Sequence, residues 1–150
     1  MKEKRLSVDY YWACLERIES ARRLYGEGRY VAAIYLSGVA VECLLRAYMM
    51  KTHPSFDARH DFSMLLKQSG IAAFIPEGRQ REFGEHFDNV WARWKNNYRY
   101  VSSAWLRSKY RKLGLNKGVK GCILKANSLI IYESASKLIN SGVKRWESGN

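Results

Sequence analysis

RYVAAIYLSGVAVECLLRAYMMK, residues 29–51, is the most apolar stretch of the chain, and no proline interrupts it. Wound at 3.6 residues per turn, it puts Tyr30, Ala33, Ile34, Val41, Leu44, Leu45 and Tyr48 on one face. Val31, Val39, Ala40, Cys43 and Ala47 cover much of the remainder. A helix that is apolar on most sides is buried on most sides. This one is expected at the centre of an all-α bundle, or shared with a second subunit. Glu42 and Arg46 stand at i and i+4, the favourable order for an ion pair within one helix. Gly26-Glu27-Gly28 supplies a turn before it, and Pro54 closes it, because the residue before a proline avoids the α conformation.

Working outward, the spacing predicts a first helix over residues 7–25, with Ser7 as N-cap and Asp9 where the helix dipole favours an anion. Its apolar stripe is Val8, Tyr11, Trp12, Leu15 and Ile18. A short helix is expected over 61–68, with Phe62, Leu65 and Leu66 inward and Gly70 as its stop. Pro76 suits the start of a fourth, reaching about residue 97, with Phe83, Phe87, Val90, Trp91 and Trp94 as an aromatic stripe. Residues 98–115 are rich in Tyr, Trp and cations and read as loop or broken helix. A last helix is expected over 116–146, its buried face marked by Val119, Cys122, Ile123, Ala126, Leu129 and Ile130. No segment alternates like a strand. The expectation is one all-α domain of four to five helices over residues 1–150.

Composition removes several classes of function. An apolar fraction of 47% is enough for a core and argues against disorder. The three cysteines, Cys14, Cys43 and Cys122, are far apart in helix-like contexts and read as small buried hydrophobes in a reducing compartment. With no CxxC and no Cys/His cluster, no metal site and no cofactor are expected. The first residues have no apolar core of a signal peptide, and the apolar run over 32–41 is too short to span a bilayer. A cytoplasmic protein without membrane contact is expected.

Charge is distributed unevenly. The chain has 26 Lys and Arg against 14 Asp and Glu, a net +12, and residues 89–132 contain no acid at all. Their cations are Arg93, Lys95, Arg99, Arg107, Lys109, Arg111, Lys112, Lys117, Lys120 and Lys125. An unbalanced block of this kind repels itself, and a polyanion such as RNA relieves the repulsion. Arg93, Lys95, Arg99, Arg107, Lys109, Arg111 and Lys112 are the candidate phosphate contacts. Tyr100, with Tyr98, Trp105 and Tyr110, is a candidate for stacking on bases if exposed.

Three places in the sequence resemble one family. The run from Leu24 through the glycine turn to Leu36, continued by Ala40-Val41-Glu42-Cys43-Leu44-Leu45-Arg46-Ala47, is similar to the helix-turn-helix opening of HEPN domains. His60-Asp61-Phe62 resembles their His-Asp-Leu helix start, and Tyr98-Arg99-Tyr100 their Arg-Tyr pair before the last helix. The resemblance implies a bundle of four or five helices, commonly a homodimer. Many members cleave RNA without a metal, through an Arg-x(4–6)-His motif just before the last helix. Others bind RNA or nucleotides, pair with a nucleotidyltransferase-type antitoxin, or act in phage defence. Metal-free cleavage needs a group to move the 2′-hydroxyl proton and a cation to hold the developing phosphorane charge. Arg99 occupies the expected position, but no histidine follows it; the last is His86. Arg81-x4-His86 and Arg46-x6-His53 match the spacing formally, earlier in the chain than the family places it.

Three readings follow. The leading one is an RNA- or nucleotide-binding member without strong nuclease activity, in a toxin–antitoxin or phage-defence setting. The second is a metal-independent endoribonuclease toxin with His86 and Arg81 or Arg99 brought together across a dimer. The third is a helical interaction protein whose basic face docks an acidic partner.

Overall fold

A computed structural model describes residues 6–52 and 75–149 of the chain. Within them lie five α-helices and no strand: α1 (Ser7–Gly26), α2 (Tyr30–Thr52), α3 (Gln80–Arg93), α4 (Ser103–Lys112) and α5 (Ile123–Ser148). A 3-10 turn (Asn96–Tyr100) joins α3 to α4. The helix expected over 61–68, with His53, Pro54 and His60, lies outside the described residues.

α2 is the centre. Every residue from Ala33 to Met50 is buried or half-buried. Tyr30–Lys51 is long and apolar enough to cross a membrane, more so than the run over 32–41 suggests. Its side chains are instead taken up by the bundle, chiefly against α1 and α5. One protomer therefore covers α2, and no second subunit is needed for that. The expected Glu42–Arg46 pair forms at 3.0 Å, largely withdrawn from solvent.

Aromatic contacts at one end of the bundle show how the long helices run. Trp146 of α5 is stacked on Tyr11 of α1, with centroids 4.8 Å apart, and meets Tyr48 of α2 edge-on at 5.4 Å. Lys51 Nζ stands 3.5 Å from the Trp146 ring centre. Tyr48 donates its hydroxyl proton to the Gly142 carbonyl, and burial pushes its phenol up to about 12. The C-termini of α2 and α5 therefore meet the N-terminus of α1. α2 and α5 run parallel, with α1 antiparallel to both.

Helix boundaries depart from the sequence expectation where turns intervene. Leu6, not Ser7, is the N-cap of α1, and its backbone N–H donates to Asp9 at 2.9 Å. Gly78 takes a φ of 81° in a turn closed by Arg79 N–H to Pro76 O, which delays α3 to Gln80. The last helix starts at Ile123 because the positive φ values of Gly114, Gly118 and Gly121 keep the chain in turns until then. Residues 98–115 are mostly helical: Ser102 caps α4 by accepting from Trp105 N–H at 3.1 Å.

Two predicted faces are rotated. α1 buries Tyr11, Cys14 and Ala21, with Leu15 and Ile18 at the flank, while Val8 and Trp12 are exposed. α5 buries Ile123, as expected, with Leu124, Asn127, Ser128, Ile131, Ser134, Ala135, Leu138, Ile139 and Gly142, while Leu129 and Cys122 face outward. Trp91 likewise lies outward on α3.

α3 ends at Arg93 because Trp94 leaves the helix in an extended conformation. Its indole lies over Gly38 of α2 and donates to the Tyr35 carbonyl at 3.0 Å. A Cβ on Gly38 would fall 2.0 Å from the ring. Gly38→Ala is therefore expected to destabilise the protein by ~1–3 kcal/mol in urea unfolding, although alanine is the better helix former. Gly84→Ala, on the open face of α3 with nothing within 4 Å, should stabilise it by ~0.5–1 kcal/mol. Equal effects of the two changes would refute this account of Gly38.

Candidate functional site

A polar seam joins α3 to α5, and it decides what two of the sequence candidates can do. Arg93 Nε donates to Asn127 Oδ1 at 2.8 Å, and its NH1 reaches the Asn89 carbonyl at 3.2 Å. Asn127, fully buried, donates to the carbonyls of Leu115 and Ile123. Burial lowers the pKa of the Arg93 guanidinium. The Tyr110 hydroxyl donates to the Arg93 carbonyl and is pushed up by its own burial. The seam takes up Arg93, leaving little of its guanidinium for a phosphate.

His86 sits in the same seam. Its Nδ1 is 3.1 Å from Ser134 Oγ, to which Asn89 Nδ2 donates at 3.0 Å. With the Ser134 hydroxyl donating to Nδ1, the ring hydrogen is on Nε2, which faces Glu82 at 3.7 Å. Glu82 is held at about 2, chiefly by hydrogen bonds from Arg79. Glu82, His86 and Ser134 thus follow one another in the order of a hydrolytic triad. Ser134 is buried and already bonded to Asn89, and His86 Nε2 is buried too, so no substrate oxygen reaches either. Arg81 points to solvent, 3.7 Å from Glu85. The structure does not bring Arg81 and His86 together as an RNA-cleaving pair.

The other candidates gather elsewhere. A cleft of about 860 Å³ opens where the α1–α2 turn, the 3-10 turn and the starts of α4 and α5 meet. Arg29, Arg99 and Arg107 line it from three different segments, and among the described residues no acid lines it. Arg29 has one carboxylate contact, Glu27 at 3.8 Å, with both side chains exposed. Among the described residues, none of the ten cations in 89–132 is paired with a carboxylate.

The helix ends add to this field. α2, α4 and α5 all begin at the cleft, and none has an acid in its first turn. α1 and α3 carry Asp9 and Glu82 in theirs. Three helix starts therefore border the cleft without an acidic counter-charge in their first turns.

On α4, Leu106 and Tyr110 face the core. Arg107 and Arg111 follow Ser103 at four-residue steps on the cleft side, and Lys109 and Lys112 fall on the opposite flank with Trp105. Lys95 and Tyr100 are exposed just outside the cleft, and the Arg99 guanidinium lies 4.6 Å from the Tyr100 ring. Of the proposed stacking aromatics, Tyr98 and Tyr110 are buried, while Tyr100 and Trp105 are exposed. Arg29 escapes sequence reading because Glu27 beside it cancels its charge locally. Among the described residues no cluster of His, Cys, Asp or Glu is placed to hold a metal.

Asn127→Leu should cost ~2–4 kcal/mol in urea unfolding, because it strands the buried end of Arg93 and the Leu115 carbonyl. Arg81→Ala should stay within about 0.5 kcal/mol. If both are neutral, the seam is not structural. Glu82 is depressed in the folded state, so its contribution is complete above the ordinary carboxylate value and is lost as pH falls towards about 2. The stability gap between wild type and Glu82→Gln should accordingly be present at pH 7 and close below about pH 4. A gap that does not change with pH would contradict this.

Among known proteins, the family model of the HEPN domain matches residues 9–145. No curated protein and no solved structure matches the chain.

Proposed function

The chain belongs to the HEPN domain family, and on that premise we propose that it binds RNA, or a nucleotide, through the basic cleft and the α4 surface beside it. The family's function is RNA-directed and toxin-type in general. The observation that carries the reading is the set of cations around the cleft: Arg29, Arg99 and Arg107 within it, and Lys95, Arg111, Lys109 and Lys112 beside it, of which only Arg29 has a carboxylate contact among the described residues. Tyr100 and Trp105 offer exposed ring faces to unstacked bases.

Strong nuclease activity is not part of the proposal. Arg99 stands where the family places its arginine, but no histidine is within reach in sequence, and His86 is spent on Ser134. Arg99 would then bind phosphate without a proton-transfer partner. A homodimer fits the family, with an interface away from the covered core helix α2. A nucleotidyltransferase-type antitoxin remains the kind of protein partner the family suggests.

The test is a fluorescence-anisotropy titration of single-stranded RNA at several salt concentrations. Affinity should fall steeply with salt, with a slope of roughly one log unit per phosphate contact. Replacing Arg107, Lys109, Arg111 and Lys112 with Ala should reduce that slope and weaken binding to all sequences about equally. The same RNA, incubated with chelator, should stay intact. No affinity even at low salt would turn the basic surface over to an acidic protein partner. Cleavage abolished by His86→Ala would restore the ribonuclease reading.

A further inference from the structure

We infer that the cleft takes a phosphomonoester, the terminal phosphate of a nucleotide or of an RNA end, rather than the internal phosphodiesters of a strand passing across it. The inference rests on the reading of the cleft as an RNA or nucleotide site and narrows its ligand.

The argument is geometric. A track for a continuous strand repeats its cations along a groove, each meeting one singly charged phosphate. Lys109 and Lys112, together on the far flank of α4 from the cleft, are spread along a surface in that way. Arg29, Arg99 and Arg107 are not. They come from the turn before α2, the 3-10 turn and α4, so three separate segments each bring an arginine to the lining of one cleft. A phosphomonoester has three peripheral oxygens and carries about −1.5 to −2 charge at pH 7, which suits convergent donors better than a diester does. The starts of α2, α4 and α5 border the same cleft, without an acid in any first turn.

The rest of the lining suits what is attached to such a phosphate. Val31, Leu36, Val101 and Leu124 supply apolar wall, and Tyr35 an aromatic one. The volume, about 860 Å³, falls within the range of small-molecule sites and is roomy for one nucleotide.

The chain carries its own reporter. Cys122 is exposed in the lining, whereas Cys14 is buried, its thiol pushed up by desolvation. Alkylation at Cys122, read by peptide mass, reports whether the cleft is occupied.

The experiment compares short single-stranded RNAs of one sequence with 5′-phosphate, 3′-phosphate or hydroxyl ends, with adenosine 5′-monophosphate as the free nucleotide. At least one phosphorylated RNA should bind about tenfold more tightly than the hydroxyl-ended one, the increment of a charge-assisted contact. Arg29→Ala should remove most of that difference, costing phosphorylated RNA several-fold more affinity than it costs hydroxyl-ended RNA. The monophosphate should slow alkylation of Cys122 in wild type and not in Arg29→Ala. If it also erases the preference for phosphorylated ends, free nucleotides are the source; if only phosphorylated RNA protects Cys122, RNA ends are. Either result supports the monoester. Equal affinity for all three RNAs with Cys122 unprotected by the monophosphate overturns the inference and leaves RNA binding standing. No RNA binding with Cys122 still protected upholds the monoester and removes the RNA reading. A preference that survives Arg29→Ala overturns the assignment to this cleft.

Discussion

The indole of Trp94 against Gly38 is the contact on which the arrangement turns. An aromatic ring can lie directly on the backbone of a helix only where no Cβ intervenes, and Gly38 provides that place in the first half of α2. Reaching it forces the chain out of helix at Trp94. The following 3-10 turn is then laid beside the start of α2, with Tyr98 buried and Arg99 at the cleft. Arg29 and Arg99, far apart in sequence, become neighbours of one cleft because a tryptophan and a glycine fit together.

A second constraint is polar. α3 and α5 do not meet through an apolar face alone. His86, Asn89 and Arg93 are matched along the seam to Ser134 and Asn127. Buried polar groups are costly when unmatched and specify one register when matched. The seam thereby sets the height of α3 on α5 and removes Arg93 and His86 from any role at the surface. The cations beyond it, from Lys95 onward, find no carboxylate among the described residues. Asp9 and Glu82 stand in the first turns of α1 and α3, whereas the three helix starts at the cleft have no acid in theirs. That division of charge concentrates a positive field where the surface is concave.

What the sequence by itself determined is the helical class, the central place of α2, the family, and the excess of cations in the second half of the chain. These rest on composition, on an apolar run too broad for a surface helix, and on glycine and proline punctuation, all of which are local properties. The periodicity misplaced the buried faces of α1 and α5 for a physical reason. On α5 the inward stripe includes Asn127, Ser128 and Ser134, and a rule that equates inward with apolar rotates the helix towards Leu129. On α1 it follows Val8 and Trp12, which face out.

Only the tertiary structure decided which cations act together. Arg93 and Arg99 look alike in the sequence, yet one is tied to Asn127 and the other lines the cleft. Arg29 gave no signal at all, since its neighbour Glu27 balances it along the chain while the fold carries it to Arg99 and Arg107. Charge along a chain is counted residue by residue; an electrostatic field is summed in space, and only the packing of Trp94 on α2 and of α3 on α5 says which charges share it.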